Sequence, residues 1–166
     1  MGISEALGGK RIAVTGTTGF LGTALLERLL RAVPDCEVAL LLRSGRRSTV
    51  EQRARREIFH NDAFDRLRQE LGGREAFDAM VARRVQLMAG DVSQDGLGLD
   101  DDGRALLASC DIVIHSAAAV AFDSPLDAAV EVNLLGPTRI VRTLQDLGTT
   151  PHMVSVSTCY LSLIHI

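Results

Sequence analysis

Three glycines, each three residues from the next, constrain the fold of this chain more than any other feature. They lie in the run TGTTGFLG, which spans Thr15 to Gly22. A short apolar run rich in β-branched residues, Arg11–Thr15, comes before them, and leucines at helical spacing follow from residue 20 to residue 33. The predicted order is strand, glycine turn and helix. A second apolar run, Glu37–Leu42, completes a βαβ unit of the usual length.

The rest of the chain continues to alternate strands with helices. Three further strands are predicted at Val85–Met88, Asp111–His115 and Met153–Val156. Helices are predicted between the strands: one or two within Thr49–Leu71, a short one through Met80–Ala82, one at Asp101–Ser109, and one from Ser124-Pro125 to Leu147-Gly148. This alternation predicts an α/β fold, a Rossmann doubly wound parallel sheet of order 3-2-1-4-5, over residues 1–160.

The three glycines have separate roles in such a turn. Gly16 allows the tight turn, Gly19 lets the backbone approach a diphosphate, and Gly22 lets the helix pack closely. The N–H groups and the positive dipole end at the start of the helix attract an anion. Because a predicted strand precedes the turn and a predicted helix follows it, we interpret it as a dinucleotide-binding loop. The residues assigned to the pyrophosphate are Thr15, Gly16, Thr17, Thr18, Gly19, Phe20, Leu21 and Gly22.

The end of the second predicted strand indicates which dinucleotide is bound. Domains that prefer NADH place an acidic residue there, whereas this chain has Arg43 followed by Ser44. Arg43 lies 21 residues after Gly22, close to the usual spacing. A guanidinium group can pair with a 2′-phosphate, so we expect NADPH as the cofactor. The alternative is a surface arginine that happens to end a strand.

Polar residues also end the third and fourth predicted strands. Asp91 could accept a hydrogen bond from the adenine amino group while Val92 packs on the ring, although Asp91 could equally cap a turn. His115 is expected to be a packed, hydrogen-bonded histidine, with a general base as the alternative. His152 is expected to be structural. No Cys and His spacing suggests zinc, so no metal site is predicted.

Several segments together resemble a known family. TGTTGFLG, LLLRS, GDV, HSAAAVAFDSPLDAAVEVNLLGP and VSVSTCY occur in the order and at the spacings of the extended short-chain dehydrogenase/reductases. The resemblance covers Lys10 to Tyr160. Within that superfamily, the stretch from Phe122 to Glu131 and the arginine-rich insertion (Thr49–Leu71) resemble the fatty acyl-CoA reductases and the related thioester-reductase domains.

The resemblance implies roles for residues outside the glycine turn. Ser116, Ala117 and Ala118 would lie along the nicotinamide ribose. Asn133 would support the water and lysine network beneath the active site. Thr158, with Ser157 as the less favoured choice, would be the catalytic hydroxyl group that holds the substrate carbonyl oxygen.

The proton donor of the family is missing from the sequence. The resemblance implies a tyrosine with a lysine four residues later, but the single tyrosine, Tyr160, is followed at that spacing by Ile164. The single lysine is Lys10. We therefore expect a truncated chain that is inactive by itself. Its last six residues, Leu161–Ile166, are interpreted as a non-native tail translated from a sequencing adapter.

Three functional hypotheses follow. The first is that the full-length parent reduces a long-chain fatty acyl-CoA to an aldehyde or alcohol with NADPH. The second is a thioester-reductase domain that acts on carrier-bound acyl groups, and the third is a protein that binds NADPH without turnover. The net charge of −3 gives no reason to expect nucleic acid as a partner. Without an apolar span or a signal peptide, a cytoplasmic location is expected; peripheral membrane contact and oligomeric state stay open.

Overall fold

A parallel five-stranded sheet forms the centre of the structure, a computed structural model that describes residues 2–45, 48–121, 123 and 125–157. The strands lie in the order β3-β2-β1-β4-β5, which confirms the predicted doubly wound topology. Neighbouring strands pair in parallel, with Val14 opposite Leu40 on one side and Ile114 on the other. The strands are β1 (Arg11–Thr15), β2 (Glu37–Leu42), β3 (Val85–Ala89), β4 (Ile112–His115) and β5 (His152–Ser155).

Helices connect the strands and cover the sheet. The α-helices are α1 (Ile3–Leu7), α2 (Phe20–Ala32), α3 (Val50–Ala54), α4 (Asp65–Glu70), α5 (Arg74–Arg84), α6 (Asp101–Ala108), α7 (Leu126–Ala129) and α8 (Leu135–Asp146). Two π-helical turns, at Arg55–Phe59 and Val130–Leu134, continue α3 and join α7 to α8. Short 3-10 turns lie at Asp62–Phe64 and Asp95–Gly98. In the part of the chain that the structure describes, no helix has the length and apolar character needed to cross a bilayer.

Between β2 and β3, the helical boundaries differ from the prediction in two places. The arginine-rich insertion is divided into four short helical segments, because the Asn61 side chain accepts a hydrogen bond from the Ala63 N–H and starts a new turn. Helix α5 has 11 residues instead of the short helix expected near Met80. Its few buried residues, which include Phe77, gave only a weak apolar pattern.

Alternate residues of the central strands supply the two halves of the core. Ile12 and Val14 point to one face of the sheet, where they pack with Leu26 of α2. Ala13 points to the other face and packs in a second cluster with Ile140 of α8. All of these side chains are at most 2% exposed. Both faces of β1 are therefore buried, which explains the continuous apolar run of its sequence.

A buried arginine connects α5 to the far end of α2. The guanidinium group of Arg84 donates to the carbonyl oxygens of Leu30 at 2.7 Å, of Cys36 at 3.0 Å and of Val33. These carbonyl groups lie at and just beyond the carboxyl end of α2, where the helix dipole is negative. Arg84 is 6% exposed and so links two elements 48 or more residues apart in sequence.

Charged groups close the amino end of the sheet, opposite to the glycine turn. The Lys10 ammonium group lies 2.9 Å from Oδ1 of Asp111, and the Arg11 N–H donates to Oδ2 of the same carboxylate at 2.9 Å. These two hydrogen bonds hold the pKa of Asp111 below its ordinary value. These hydrogen bonds of Asp111 thus link the start of β4 to the start of β1.

Candidate dinucleotide site

The carboxyl ends of β1 and β4 meet at the point where the sheet reverses its winding direction, which is the usual ligand position in this architecture. The hydroxyl oxygen of Thr15 accepts hydrogen bonds from the N–H groups of Ser116 at 3.3 Å and Ala117 at 3.2 Å. Thr15 is 3% exposed. The Thr15 side chain therefore connects the carboxyl ends of β1 and β4, and the Thr15 backbone leads into the glycine turn.

His115 completes this junction. Its Nδ1 lies 2.8 Å from the Thr15 Oγ1. Because that oxygen already accepts two N–H groups, its hydrogen is the one that bridges to Nδ1, and we assign the ring hydrogen to Nε2. Burial lowers the pKa of His115 below its ordinary value of 6.5, which favours the neutral ring. The expected packed and hydrogen-bonded histidine is confirmed.

Backbone contacts account for the first and third glycines of the turn. Gly16 has a φ of +78°, and a Cβ there would lie 2.6 Å from the backbone of Ser116 and Ala117. At Gly22 a Cβ would lie 2.2 Å from the Gly16 carbonyl oxygen. A side chain at either position would push backbone groups apart. Only glycine therefore lets α2 and β4 approach the turn this closely.

The start of α2 is open and supplied with free donors. Gly19 is its N-cap and has no side chain to cap the first N–H groups, which have no acceptor within the helix. Phe20 is 94% exposed, so the first turn faces solvent. The Thr17 hydroxyl oxygen is buried and lacks a hydrogen-bond partner among the described residues. Free N–H donors, the helix dipole and an unsatisfied hydroxyl group fit the diphosphate of a dinucleotide.

A depression of about 640 Å³ lies beside the carboxyl end of β2. Ser44 from the strand end borders it together with Ala89 at the end of β3, and the exposed Arg43 comes directly before Ser44. Arg46 and Arg47, which follow in the sequence, lie outside the described residues. We call this depression the β2-edge depression; its lining residues are Ser44, Ser48, Thr49, Val50, Glu51, Gln52 and Ala89.

One acidic side chain also lines the β2-edge depression. Hydrogen bonds from the Thr49 hydroxyl and from its own backbone N–H hold the pKa of Glu51 below its ordinary value. Glu51 is therefore ionised at neutral pH. Its charge opposes a phosphate in the depression, while its oxygens suit a ribose hydroxyl. Arg43 and Glu51 thus favour opposite cofactors.

The segment after β3 is a closed loop that contains the partly exposed Asp91 and the buried Val92. Oδ1 of Asp91 accepts from the Ser93 N–H at 2.9 Å and from its hydroxyl at 2.8 Å, so Asp91 forms the turn that the sequence left as an alternative. The Asp91 N–H donates to the carbonyl of Leu97, a buried residue with a φ of +60°. Val92 packs 3.5 Å from the Cβ position of Gly136 in α8.

Asn133 fixes the loop that follows β4. Its Oδ1 accepts from the Ala119 N–H at 2.8 Å, and its Nδ2 donates to the Ala119 carbonyl at 2.9 Å.

Ser157, the less favoured candidate for the catalytic hydroxyl group, is exposed and lies two residues beyond β5. The N–H of the preceding residue, Val156, donates to the His115 carbonyl at 2.9 Å. Thr158 lies outside the described residues. Within them, no three His, Cys, Asp or Glu residues are grouped to hold a metal ion.

Comparison with known proteins identifies the family. Residues 14–165 match the NAD-binding domain described as male sterility protein, which is nearly the whole chain. The chain belongs to the male sterility protein family. Its curated relatives include fatty acyl-CoA reductase 1 of Arabidopsis thaliana, which is 33% identical over 161 residues, or 95% of this chain. The chain spans 33% of that relative, about a third of its length.

Solved structures similar to this member of the male sterility protein family include reductase domains. One is the terminal R domain of the myxalamid PKS-NRPS pathway, with 29% identity and a TM-score of 0.65; it matches 90% of this chain and 34% of its own. Another is the R domain of a nonribosomal peptide synthetase from Mycobacterium tuberculosis, with 33% identity and a TM-score of 0.64 over 90% and 33% of the two chains. The resemblance to acyl-CoA and thioester reductases is thereby confirmed.

Sequence reasoning missed part of this site. Ser48, Thr49 and Glu51 line the β2-edge depression, and Arg53 contacts the Arg43 carbonyl, but the arginine-rich insertion gave only an amphipathic pattern. The pattern Thr49-x-x-Gln52 was the available signal, since it forms a capping box at the start of α3. No sequence signal identified the backbone contact of Arg53.

Proposed function

We propose that the chain is the nucleotide-binding part of an NADPH-dependent reductase that acts on long-chain fatty acyl-CoA thioesters. The observation that carries this proposal is the open start of α2, whose first N–H groups are uncapped. In the preceding turn, the buried Thr17 hydroxyl group also lacks a partner among the described residues. The fatty acyl-CoA reductases among the relatives support the choice of substrate. The bound nicotinamide would supply a hydride to the substrate carbonyl carbon.

The preference for NADPH over NADH depends on the carboxyl end of β2. Arg43 would pair with the 2′-phosphate, and the hydroxyl groups of Ser44 and Ser48 would donate hydrogen bonds beside it. Glu51 opposes this preference. Titration of the chain with NADPH and with NADH, followed by nucleotide fluorescence, tests it. Tighter binding of NADPH supports the assignment, and equal or weaker binding contradicts it.

The remaining roles belong to the same proposal. Asp91 and Val92 would contact the adenine, and Ser116, Ala117 and Ala118 would border the nicotinamide ribose. Asn133 holds Ala119 and so would shape the floor of the active site. Thr158, or else Ser157, would hold the substrate carbonyl oxygen.

We expect the activity in a longer protein that contains this chain, since the chain spans about a third of the length of fatty acyl-CoA reductase 1 of Arabidopsis thaliana. We expect that protein to oxidise NADPH in the presence of a long-chain acyl-CoA and to form aldehyde or alcohol. The 166-residue chain should bind NADPH without oxidising it, because it has no Tyr-x-x-x-Lys sequence. Absence of acyl-CoA-dependent oxidation by the longer protein would contradict the proposal. The gene sequence beyond Tyr160 also tests whether Leu161–Ile166 are native.

A carrier-bound thioester is the second candidate substrate, favoured by the R domains among the solved structures. The same acyl group offered on coenzyme A and on a phosphopantetheinyl carrier protein distinguishes the two. A higher kcat/KM with the carrier would replace the first proposal by the second. We also propose a cytoplasmic location, which fractionation of the source cells would test.

A further inference from the structure

A hydrogen bond connects the arginine-rich insertion to the strand end assigned to cofactor choice. Nη1 of Arg53 donates to the backbone carbonyl oxygen of Arg43 at 2.9 Å. Arg43 is the first residue after β2, and Arg53 lies in α3, so the bond joins the two ends of the loop between them. The same loop is narrowed by a hydrogen bond of 3.1 Å from the Gly45 N–H to the Ser48 carbonyl.

Arg53 is itself held in place from the other side. Its Nε donates to Oε2 of Glu57 at 2.8 Å, and Nη2 of Arg56 donates to Oε1 of the same carboxylate at 2.7 Å. The side chains of Arg53 and Glu57 are 20% and 29% exposed. A half-buried pair of this kind keeps a long side chain in one geometry better than a solvated pair does.

Arg43, in contrast, is exposed, and its guanidinium group forms no hydrogen bond or ion pair with another described residue. A free arginine side chain loses rotamer freedom when it binds an anion. Fixing the backbone at its Cα limits the directions that the side chain can take. The hydrogen bond from Arg53 therefore reduces the conformational entropy that the Arg43 side chain would lose when it binds a phosphate.

We propose that Arg53 is a positioning residue that sets the preference for NADPH by holding the Arg43 carbonyl beside the β2-edge depression. This inference rests on the proposed assignment of Arg43 to the 2′-phosphate. The arginine-rich insertion would then determine cofactor choice without touching the cofactor. Glu57 contributes indirectly, because it orients Arg53.

The test compares Arg53→Met with Arg55→Met in the 166-residue chain. Arg55 is an exposed neighbour on the same helical stretch, so the second variant removes an equal charge without the contact. The probes are adenosine 2′,5′-bisphosphate and adenosine 5′-monophosphate, which differ by the 2′-phosphate. We expect Arg53→Met to weaken binding of the bisphosphate roughly tenfold, the size of one lost hydrogen bond from a charged donor, and to leave the monophosphate unchanged. Glu57→Gln should give a smaller change of the same kind.

Each other outcome overturns the inference in a recognisable way. Equal weakening of both probes by Arg53→Met would show a general structural role. Equal loss with Arg53→Met and Arg55→Met would show an effect of charge alone. Backbone hydrogen exchange over residues 43–49, measured without nucleotide, separates the two proposals. If exchange is faster only in Arg53→Met but the unsubstituted chain does not distinguish the probes, the Arg43 assignment fails and the positioning contact stands without its role in cofactor choice.

Discussion

The side-chain amide of Asn133 and the backbone N–H and carbonyl groups of Ala119 form a reciprocal pair, with hydrogen bonds of 2.8 Å and 2.9 Å. Replacement by leucine removes both bonds and should cost about 1 kcal/mol, since the pair is solvent-accessible. The sharper readout is backbone hydrogen exchange, in which the Ala119 N–H should lose protection. Gln145→Leu, at an exposed site in α8, should leave that N–H protected. Unchanged protection in Asn133→Leu would contradict a holding role.

A side chain at Gly16 should lower the free energy of unfolding. Close backbone contact should account for more of this loss than the positive φ does. Gly9 has a similar φ of +69° but nothing within 4 Å of its Cβ position. We expect Gly9→Ala to cost about 1 kcal/mol and Gly16→Ala about 3 kcal/mol or more. Urea unfolding of both variants measures the difference. Equal losses would mean that conformation alone requires Gly16.

Stability should depend on the protonation of His115. Its pKa is lowered by burial in the folded chain, so the unfolded state takes up a proton first as pH falls. The stabilisation is complete above about pH 6.5 and is lost as pH decreases toward the folded-state pKa, with a slope of up to about 1.4 kcal/mol per pH unit. Urea unfolding between pH 5 and pH 8 measures it. His115→Gln should flatten this dependence, whereas His152→Gln, at an exposed site, should preserve it.

Loss of the Arg84 guanidinium group should leave the carbonyls at the end of α2 without partners. We expect Arg84→Met to lower the free energy of unfolding by about 3 kcal/mol, and Arg84→Lys to recover only part of it, because one ammonium group cannot reproduce the planar fork. Arg83→Met, at the exposed neighbouring position, should change stability by less than about 0.5 kcal/mol. Similar losses at both positions would contradict this role.

The parts of the fold that were predictable are those that one-dimensional patterns encode. The strands β1 and β2 are buried on both faces, so each is a continuous apolar run in the sequence. The glycine turn was predictable because Gly16 and Gly22 meet a backbone requirement that no other residue satisfies. Strand order followed from the alternation of strands and helices, which permits few parallel topologies.

The parts that were not predictable depend on contacts with backbone groups. Arg84 and Arg53 both donate to backbone carbonyl oxygens. Every residue has such an oxygen, so the sequence does not indicate which carbonyl group an arginine will contact. The π-helical turn at Val130–Leu134 adds a residue to a helical path whose apolar spacing scarcely changes. The pairing of Asn133 with Ala119 also uses backbone groups, so it could be identified only from the three-dimensional structure.

The position of Lys10 has a practical consequence for work with this chain. It is the one lysine in the sequence, and its partly exposed amine lies at the amino end of β1, paired with Asp111. The glycine turn begins at the other end of this five-residue strand, about 16 Å away. A matrix or dye coupled to the Lys10 amine would therefore lie at the amino end of the strands, opposite to the glycine turn. An affinity surface prepared in this way would present the edge of the sheet that carries the glycine turn to the solution.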